Sequence, residues 1–108
     1  MEQRADERKL AAWALAVKER DGWKDRKTGQ RVKRTEIALD PTSAHAHHIA
    51  SRADEAVRYD IRNGLCLSFA THDAVERNRL RIVGTKFFIK HGKRYIDGTH
   101  QVRFKEVV

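Results

Sequence analysis

Apolar positions follow a helical period at the start of the chain. Over residues 4–20, apolar side chains including Leu10, Trp13 and Val17 recur every three or four positions, with charged residues between them, and Gly22 follows. This pattern predicts an amphipathic helix over residues 4–20 that ends before Gly22. We expect Trp13 and Trp23 to be core residues, because large aromatic side chains more often anchor a core than bind a ligand.

The middle of the chain predicts two strands and a helix joined by polar segments. Apolar stretches favour strands at 43–50 (SAHAHHIA) and at 65–67, and the polar residues 51–60 favour a loop. Asn63-Gly64 predicts a turn just before the second strand. A helix is expected from a Thr71 cap to about Leu80, with Ser68 as a possible earlier cap.

The C-terminal third alternates in a way that is typical of β-structure. Phe87–Ile89 and Tyr95-Ile96 flank His91-Gly92, which predicts a hairpin, and residues 101–108 alternate like a further strand. The predicted fold class is therefore α+β. The 108 residues contain no repeat or linker, so we expect a single domain over residues 1–108.

Charge is distributed unevenly along this pattern. The formal net charge is +8. Residues 24–34, here called the basic arm, carry six basic and one acidic residue, and residues 77–108 carry nine basic and two acidic. Residues 35–76 between them carry three basic and seven acidic residues. This layout favours a polyanionic partner gripped on both sides of a central site, with nucleic acid as the first expectation.

The basic arm and the end of the second helix supply the expected DNA phosphate contacts. The candidates are Lys24, Arg26, Lys27, Arg31, Lys33, Arg34, Arg77 and Arg81. Arg77 and Arg81 would share a face if the helix continued that far. Charge of this kind positions a nucleic acid but does not read its sequence.

The sequence also restricts the setting in which the chain is expected to work. No apolar run approaches the roughly 18 residues of a membrane span, and the first ten residues lack the apolar stretch of a secretory signal. Cys66 is the single cysteine, so neither an internal disulfide nor a cysteine-only zinc site is expected, and we interpret Cys66 as a small buried hydrophobe. A reducing cytoplasm fits these features.

The histidines form the arrangement that most clearly indicates chemistry. His47 and His48 precede an apolar residue, Asn63 precedes a glycine, and His72 comes nine residues after Asn63, at the expected start of a helix. Phosphodiester hydrolysis needs an activated water, a stabilised charge on phosphate and exact placement. A neutral histidine is the natural base near neutral pH, and strand and helix histidines can converge on a metal ion. Because strand neighbours point to opposite faces, His47 and His48 can cooperate only if the strand end twists.

The segments AHHI (46–49), NGLCLS (63–68) and TH (71–72) resemble the HNH endonuclease family, whose fold is the ββα-metal motif. The resemblance covers about residues 43–80. It implies that His47 and His72 bind the metal, that His48 is the general base and that Asn63 orients it. Many members carry two zinc-binding cysteines five and eight residues after the asparagine, where this chain has Ser68 and Thr71. A structural zinc ion is therefore not expected.

A third metal ligand is expected from the second helix. Glu76 lies four residues after His72, on the same helical face, and Asp73 is the weaker candidate. Two histidines and a carboxylate suit one divalent ion. Mn²⁺ is expected to serve at least as well as Mg²⁺, and Ni²⁺, Co²⁺ and Zn²⁺ are also compatible. His45 has three open interpretations, a group that supports a ligand, a phosphate contact or a surface residue, and we do not expect it to be a ligand; His91 and His100 receive no role.

The function expected from these features is a metal-dependent DNA endonuclease that nicks one strand per active site. We expect a monomer or weak dimer, and cleavage of both strands would need a dimer or two independent events. Three alternatives stay open: a nucleic-acid-binding module with an inactive metal site, a ribonuclease, and a structural protein held by a zinc-bound histidine cluster. Chelation should melt the last of these but cost a preformed catalytic site little stability.

Overall fold

A computed structural model describes residues 2–34 and 39–108, and it has an α+β fold. Its helices are α1 (Glu2–Arg20) and α2 (Phe69–Glu76), with a short 3-10 helix at Ile61–Asn63. Its strands are β1 (Ala44–His48), β2 (Gly64–Ser68), β3 (Leu80–Gly84), β4 (Phe87–Lys90), β5 (Lys93–Ile96) and β6 (Val102–Glu106). Among the described residues, no helix combines the length and apolar character needed to cross a membrane.

The strands form three separate two-stranded antiparallel sheets. Strand β1 pairs with β2, β3 with β6, and β4 with β5. In the first sheet His47 lies opposite Leu65 and His48 opposite Gly64, so the two histidines end their strand where β2 begins. The expected first helix, both central strands, the C-terminal hairpin and the last strand are therefore all present. Strand β3, which the sequence pattern did not predict, owes its position to pairing with β6.

Helix α1 packs directly on the start of β2, and this contact depends on Gly64. A Cβ atom there would lie 2.6 Å from Cγ2 of Val17 and 2.7 Å from Cζ2 of Trp13. The backbone of Gly64 is extended, with φ of −144°. The turn expected at Asn63-Gly64 is therefore wrong in kind: a 3-10 helix precedes the glycine, which is required for close packing rather than for a left-handed conformation.

Two aspartates, Asp21 just before the basic arm and Asp25 within it, accept hydrogen bonds from the edge of β2. The backbone N–H of Cys66 donates to Asp21 at 2.8 Å, and that of Ser68 donates to Asp25 at 2.8 Å. Asp25 is fully buried. Burial raises its pKa, but hydrogen bonds from Thr71, Ser68 and the Thr28 backbone outweigh this and lower the pKa below the ordinary value. These bonds stabilise the strand edge and join the arm to the central sheet.

Helix α2 begins and ends earlier than the sequence predicts. Ser68 is the cap, since its Oγ accepts from the N–H of Thr71 at 3.2 Å. The helix ends at Glu76, and Asn78 then adopts a left-handed conformation with φ of 57°. The alternative cap at Ser68 is therefore confirmed, whereas the cap at Thr71 and the continuation to Leu80 are wrong. Arg81 consequently lies in β3 and shares no helical face with Arg77.

Candidate active site

The paired histidines at the end of β1 open into one cleft. This cleft has a volume of about 640 Å³ and is lined by both histidines, by His72 and Glu76 from α2, and by Ser51 and Arg52 from the following loop. Adjacent strand residues ordinarily face opposite sides of a sheet. The two histidines nevertheless border the same space, as cooperation between them requires.

Three potential ligand atoms converge in this cleft. Nδ1 of His47 lies 3.5 Å from Oε1 of Glu76, and Nε2 of His72 lies 3.9 Å from the same oxygen. One ligand atom from each residue lies within 4.8 Å of the other two. Donors bonded to one ion at about 2.0–2.2 Å are separated by about 3–4 Å. His47, His72 and Glu76 could therefore hold a metal ion after small side-chain adjustments.

The electrostatics of the two ligand histidines fit this assignment. Nδ1 of His47 and Nδ1 of His72 are buried without a hydrogen-bond partner. Burial, together with the nearby His72 and His48, lowers the pKa of His47 to about 4. His47 is therefore neutral near pH 7, and the neutral imidazole is the form that binds a metal. A buried nitrogen without a protein partner is costly unless something else binds it, and for Nδ1 of His47, which faces Glu76, a cation would do so.

The structure also separates the two carboxylates that the sequence left as alternatives. Asp73 accepts from Nε of Arg77 at 3.0 Å, whereas Glu76 faces both histidines. Glu76 is therefore the better candidate for the third ligand. The His45 ring stacks against the His72 ring, with centroids 5.2 Å apart, so His45 packs behind a candidate ligand.

His48 is held in a single tautomer by the protein backbone. Its Nε2 lies 2.9 Å from the carbonyl oxygen of Arg58. A carbonyl oxygen can only accept, so Nε2 carries the proton, and Nδ1 is the unprotonated nitrogen of the neutral ring. Burial lowers the pKa of His48, and the charges of Arg52 and Arg58 lower it further, against the opposing effect of the Arg58 carbonyl. The ring is therefore suited to accept a proton near neutral pH.

Trp13 supports the flat face of His48. The two rings are stacked with centroids 3.8 Å apart and an angle of 11° between their planes. The indole is fixed in turn, because its Nε1 donates to the carbonyl of Asp60 at 2.9 Å. Sequence reasoning assigned Trp13 to the core, where it does lie, but missed this contact. No local pattern connects residues 35 positions apart, so only tertiary packing could reveal it.

Asn63 acts on the loop beside His48 rather than on the imidazole. Its Oδ1 accepts from the N–H of Ala50 at 2.7 Å, and its Nδ2 donates to the carbonyls of Ala50 and Val57. The side chain is fully buried. The expected direct orientation of His48 is thus performed by the Arg58 carbonyl, while Asn63 fixes the loop that leads to that carbonyl. Ser51 and Arg52 of this loop line the cleft.

The basic residues divide into free and engaged groups. Lys24, Lys27, Arg31 and Arg81 are exposed, and none of them has an acidic partner among the described residues. Arg26 differs, because its guanidinium donates to Asp21 and to the carbonyls of Gly98 and His100, which leaves it a structural role.

The remaining cations have local partners at the surface. Lys33 pairs with Asp40 at 2.8 Å, Arg77 pairs with Asp73, and Arg34 lies over the Trp23 ring. Exposed pairs of this kind exchange readily with phosphate, because each contributes about 0–1 kcal/mol.

Arg52 is a cleft residue that sequence reasoning missed. It follows His48 by four residues, is exposed and lines the cleft, and its guanidinium has no partner among the described residues.

Comparison with protein-family models, curated proteins and solved structures finds no match for this chain. The interpretation of the cleft accordingly depends on its own geometry.

Proposed function

We propose that the chain is a metal-dependent endonuclease in which His48 is the general base. The observation that carries the proposal is the position of His48, with a defined unprotonated Nδ1, in the same cleft as His47, His72 and Glu76. A base and a cluster of metal ligands side by side are what hydrolysis of a phosphodiester requires. The chain order β1, β2, α2, with β1 paired to β2 and the candidate ligands on β1 and α2, supports the ββα-metal core that the sequence resemblance implies.

In the proposed reaction, Nδ1 of His48 takes a proton from a water molecule while the water oxygen attacks phosphorus. The bond between phosphorus and the 3′ oxygen breaks, and that oxygen takes a proton from solvent, which leaves a 5′-phosphate and a 3′-hydroxyl. The Arg58 carbonyl stabilises the imidazolium that forms, since Nε2–H already donates to it. Arg52 at the cleft wall is placed to bind a phosphate oxygen.

His47, His72 and Glu76 would hold one divalent cation, which when bound supplies charge stabilisation to the phosphate and the leaving oxygen. Two nitrogen donors and one carboxylate favour Mn²⁺ over Mg²⁺, because Mg²⁺ prefers oxygen-rich sites. We propose DNA as the substrate, with the exposed cations of the basic arm and Arg81 binding its backbone. One cleft per chain means one strand cut per event.

Relaxation of supercoiled plasmid tests this proposal most directly. Wild type, His48→Ala and His48→Gln would be compared in Mn²⁺, in Mg²⁺ and in EDTA. We expect the wild type to produce open-circle DNA with either metal and none in EDTA. Both variants should lose about 10²- to 10⁴-fold in rate, the usual contribution of a general base.

Two matched measurements make the result specific. His100→Ala removes an exposed histidine outside the cleft and should leave the rate unchanged. Duplex DNA, single-stranded DNA and RNA offered in parallel separate a deoxyribonuclease from a ribonuclease. If the wild type cleaves nothing in any metal but still binds DNA, a binding module replaces the nuclease. Full activity in His48→Ala would remove the proposed base.

A further inference from the structure

The hairpin formed by β4 and β5 has an unusual outer face. Its inner residues Phe88 and Tyr95 are buried in a core cluster with Val57. A half-buried antiparallel pair ordinarily presents polar side chains to solvent. Here the outer positions of β4 are Phe87, which is 42% exposed, and Ile89, which is 67% exposed. Opposite them on β5 lie Ile96 and Arg94. We call these four residues the hairpin face.

The hairpin face is cationic as well as apolar. The Arg94 guanidinium lies 3.8 Å from the centre of the Phe87 ring. Residues 86–94 contain four basic and no acidic residues. Lys90 and Lys93 reach Asp60 and Asp54. Lys86 and Arg94 have no acidic partner among the described residues. An aromatic ring with an adjoining guanidinium can stack on a base and bind a phosphate at the same time.

The hairpin face continues into the candidate metal centre. Ile96 lies opposite Phe87 and also lines a hollow of about 430 Å³. His47 and Arg81 line the same hollow. Because His47 also lines the catalytic cleft, a chain bound across that cleft can pass along the hollow and reach the hairpin. The hollow is mainly apolar and so suits sugars and bases rather than phosphates alone.

We propose that the hairpin face binds the substrate nucleic acid beside the cleaved phosphate, with Phe87 against a base or sugar and Arg94 and Lys86 on phosphates. This inference rests on the proposed nuclease function and extends it to a named contact surface. Charge argues for this occupant over a second copy of the chain, because two such faces would bring the Lys86 and Arg94 of each copy together without acidic partners and would repel.

Binding measured without cleavage tests the proposal. Wild type and variants would be titrated in EDTA into fluorescent single-stranded and duplex oligonucleotides over a range of salt concentrations, with anisotropy as the readout. Phe87→Ala should raise Kd about fivefold or more, the lower end of the loss of one base–aromatic stack. Arg94→Gln should reduce the salt dependence by about one phosphate contact, whereas Phe87→Ala should preserve it.

Control variants separate the hairpin face from general effects. Each variant would first be melted, and a wild-type thermal transition would show that it folds. Ile89→Ser changes the most exposed apolar position of the face. Leu15→Ala removes a comparably exposed apolar side chain from α1, and Arg4→Gln removes an exposed α1 cation. Both controls should leave Kd within about twofold of wild type, the scale of neutral surface substitutions.

The outcomes distinguish this proposal from the proposed function. If wild type binds nucleic acid and the hairpin variants bind equally well, the hairpin inference is wrong and the nuclease is unaffected. If wild type neither binds nor cleaves nucleic acid, the proposed function fails. Concentration-dependent dimerisation that Phe87→Ala abolishes would assign the face to a second copy and overturn the inference.

Discussion

The two histidines at the end of β1 differ in what surrounds their ring nitrogens. His48 donates to the Arg58 carbonyl and stacks on Trp13, so its ring is held by the protein. Nδ1 of His47 is buried and has no hydrogen-bond partner. A base needs one nitrogen fixed so that the other is available to water, whereas a metal ligand must keep its donor atom unbonded until the ion arrives. The surroundings of His48 therefore suit the proposed base, and those of His47 suit a metal ligand.

The supports of the two histidines also come from different parts of the chain. The candidate metal ligands lie on β1 and α2, which pack against each other. His48, the proposed base, contacts α1 and the loop before the 3-10 helix. If this contrast is correct, variants should separate metal binding from base positioning.

The largest effect is expected from removing a metal ligand. His47→Ala should abolish the thermal stabilisation that Mn²⁺ or Zn²⁺ gives to the wild type, which is about 10 °C or more when the ion is at a hundred times its Kd. His48→Ala should keep most of that stabilisation, because His48 is not among the candidate ligands. Calorimetric melting with and without the ion provides the measurement. An equal loss of the metal-induced stabilisation in His47→Ala and His48→Ala would show that the two histidines do not have separate roles.

A smaller effect is expected from the support beneath the base. Trp13→Leu removes the stacked ring and should lower the cleavage rate about 10- to 100-fold, because a misplacement of about 1 Å can cost 10²-fold. Trp13→Phe keeps a stacked ring and should recover most of the rate, although it loses the bond to Asp60. Single-turnover cleavage at saturating metal measures both variants.

The matched control for Trp13→Leu is the same substitution made in a protein that lacks the His48 side chain. In a His48→Ala background, Trp13→Leu should cause no further loss of the residual rate, since the tryptophan acts through His48. Metal affinity should stay unchanged in every Trp13 variant. A Trp13→Leu protein with wild-type cleavage would show that the stack has no positioning role.

The next effect concerns the loop that carries the Arg58 carbonyl. Asn63→Ala leaves the N–H of Ala50 without its acceptor and the Ala50 carbonyl without its donor, and the Val57 carbonyl keeps only its bond from the Asp60 N–H, so we expect a loss of about 2–4 kcal/mol in the free energy of unfolding. Urea denaturation measures this loss, and hydrogen exchange at Ala50 should accelerate. A large loss of cleavage with unchanged stability would instead indicate a direct role of Asn63 in the chemistry.

The smallest effect is a pH dependence at Asp60, whose carbonyl accepts from Trp13. Hydrogen bonds from Arg62 are the main cause that lowers the pKa of Asp60 to about 2. Because the folded pKa lies below the unfolded value of 3.8, this contribution is complete above about pH 4 and is lost as the pH falls toward 2. Asp60→Asn should therefore cost about 1 kcal/mol at pH 7 and less at pH 3. Equal costs at both pH values would contradict the assignment.

Local pattern predicted most elements because their signals are short-range. The helical repeat of α1, the apolar stretches of β1 and β2, and the turn residues His91-Gly92 each act through neighbours in the chain. The errors arose where a distant partner decided the outcome. Gly64 is extended because Trp13 and Val17 pack against it. Leu80 begins a strand because β6 pairs with β3.

For the candidate site, the sequence by itself determined which side chains have the right chemistry and which lie one helical turn apart, as His72 and Glu76 do. Spacing within an element is fixed by its geometry, so it can be read without the fold. Only the tertiary structure decided that both His47 and His48 face one cleft, that Glu76 rather than Asp73 faces the histidines, and that Trp13 and the Arg58 carbonyl hold the base. Those relations depend on how separate elements pack against one another, which no local pattern specifies.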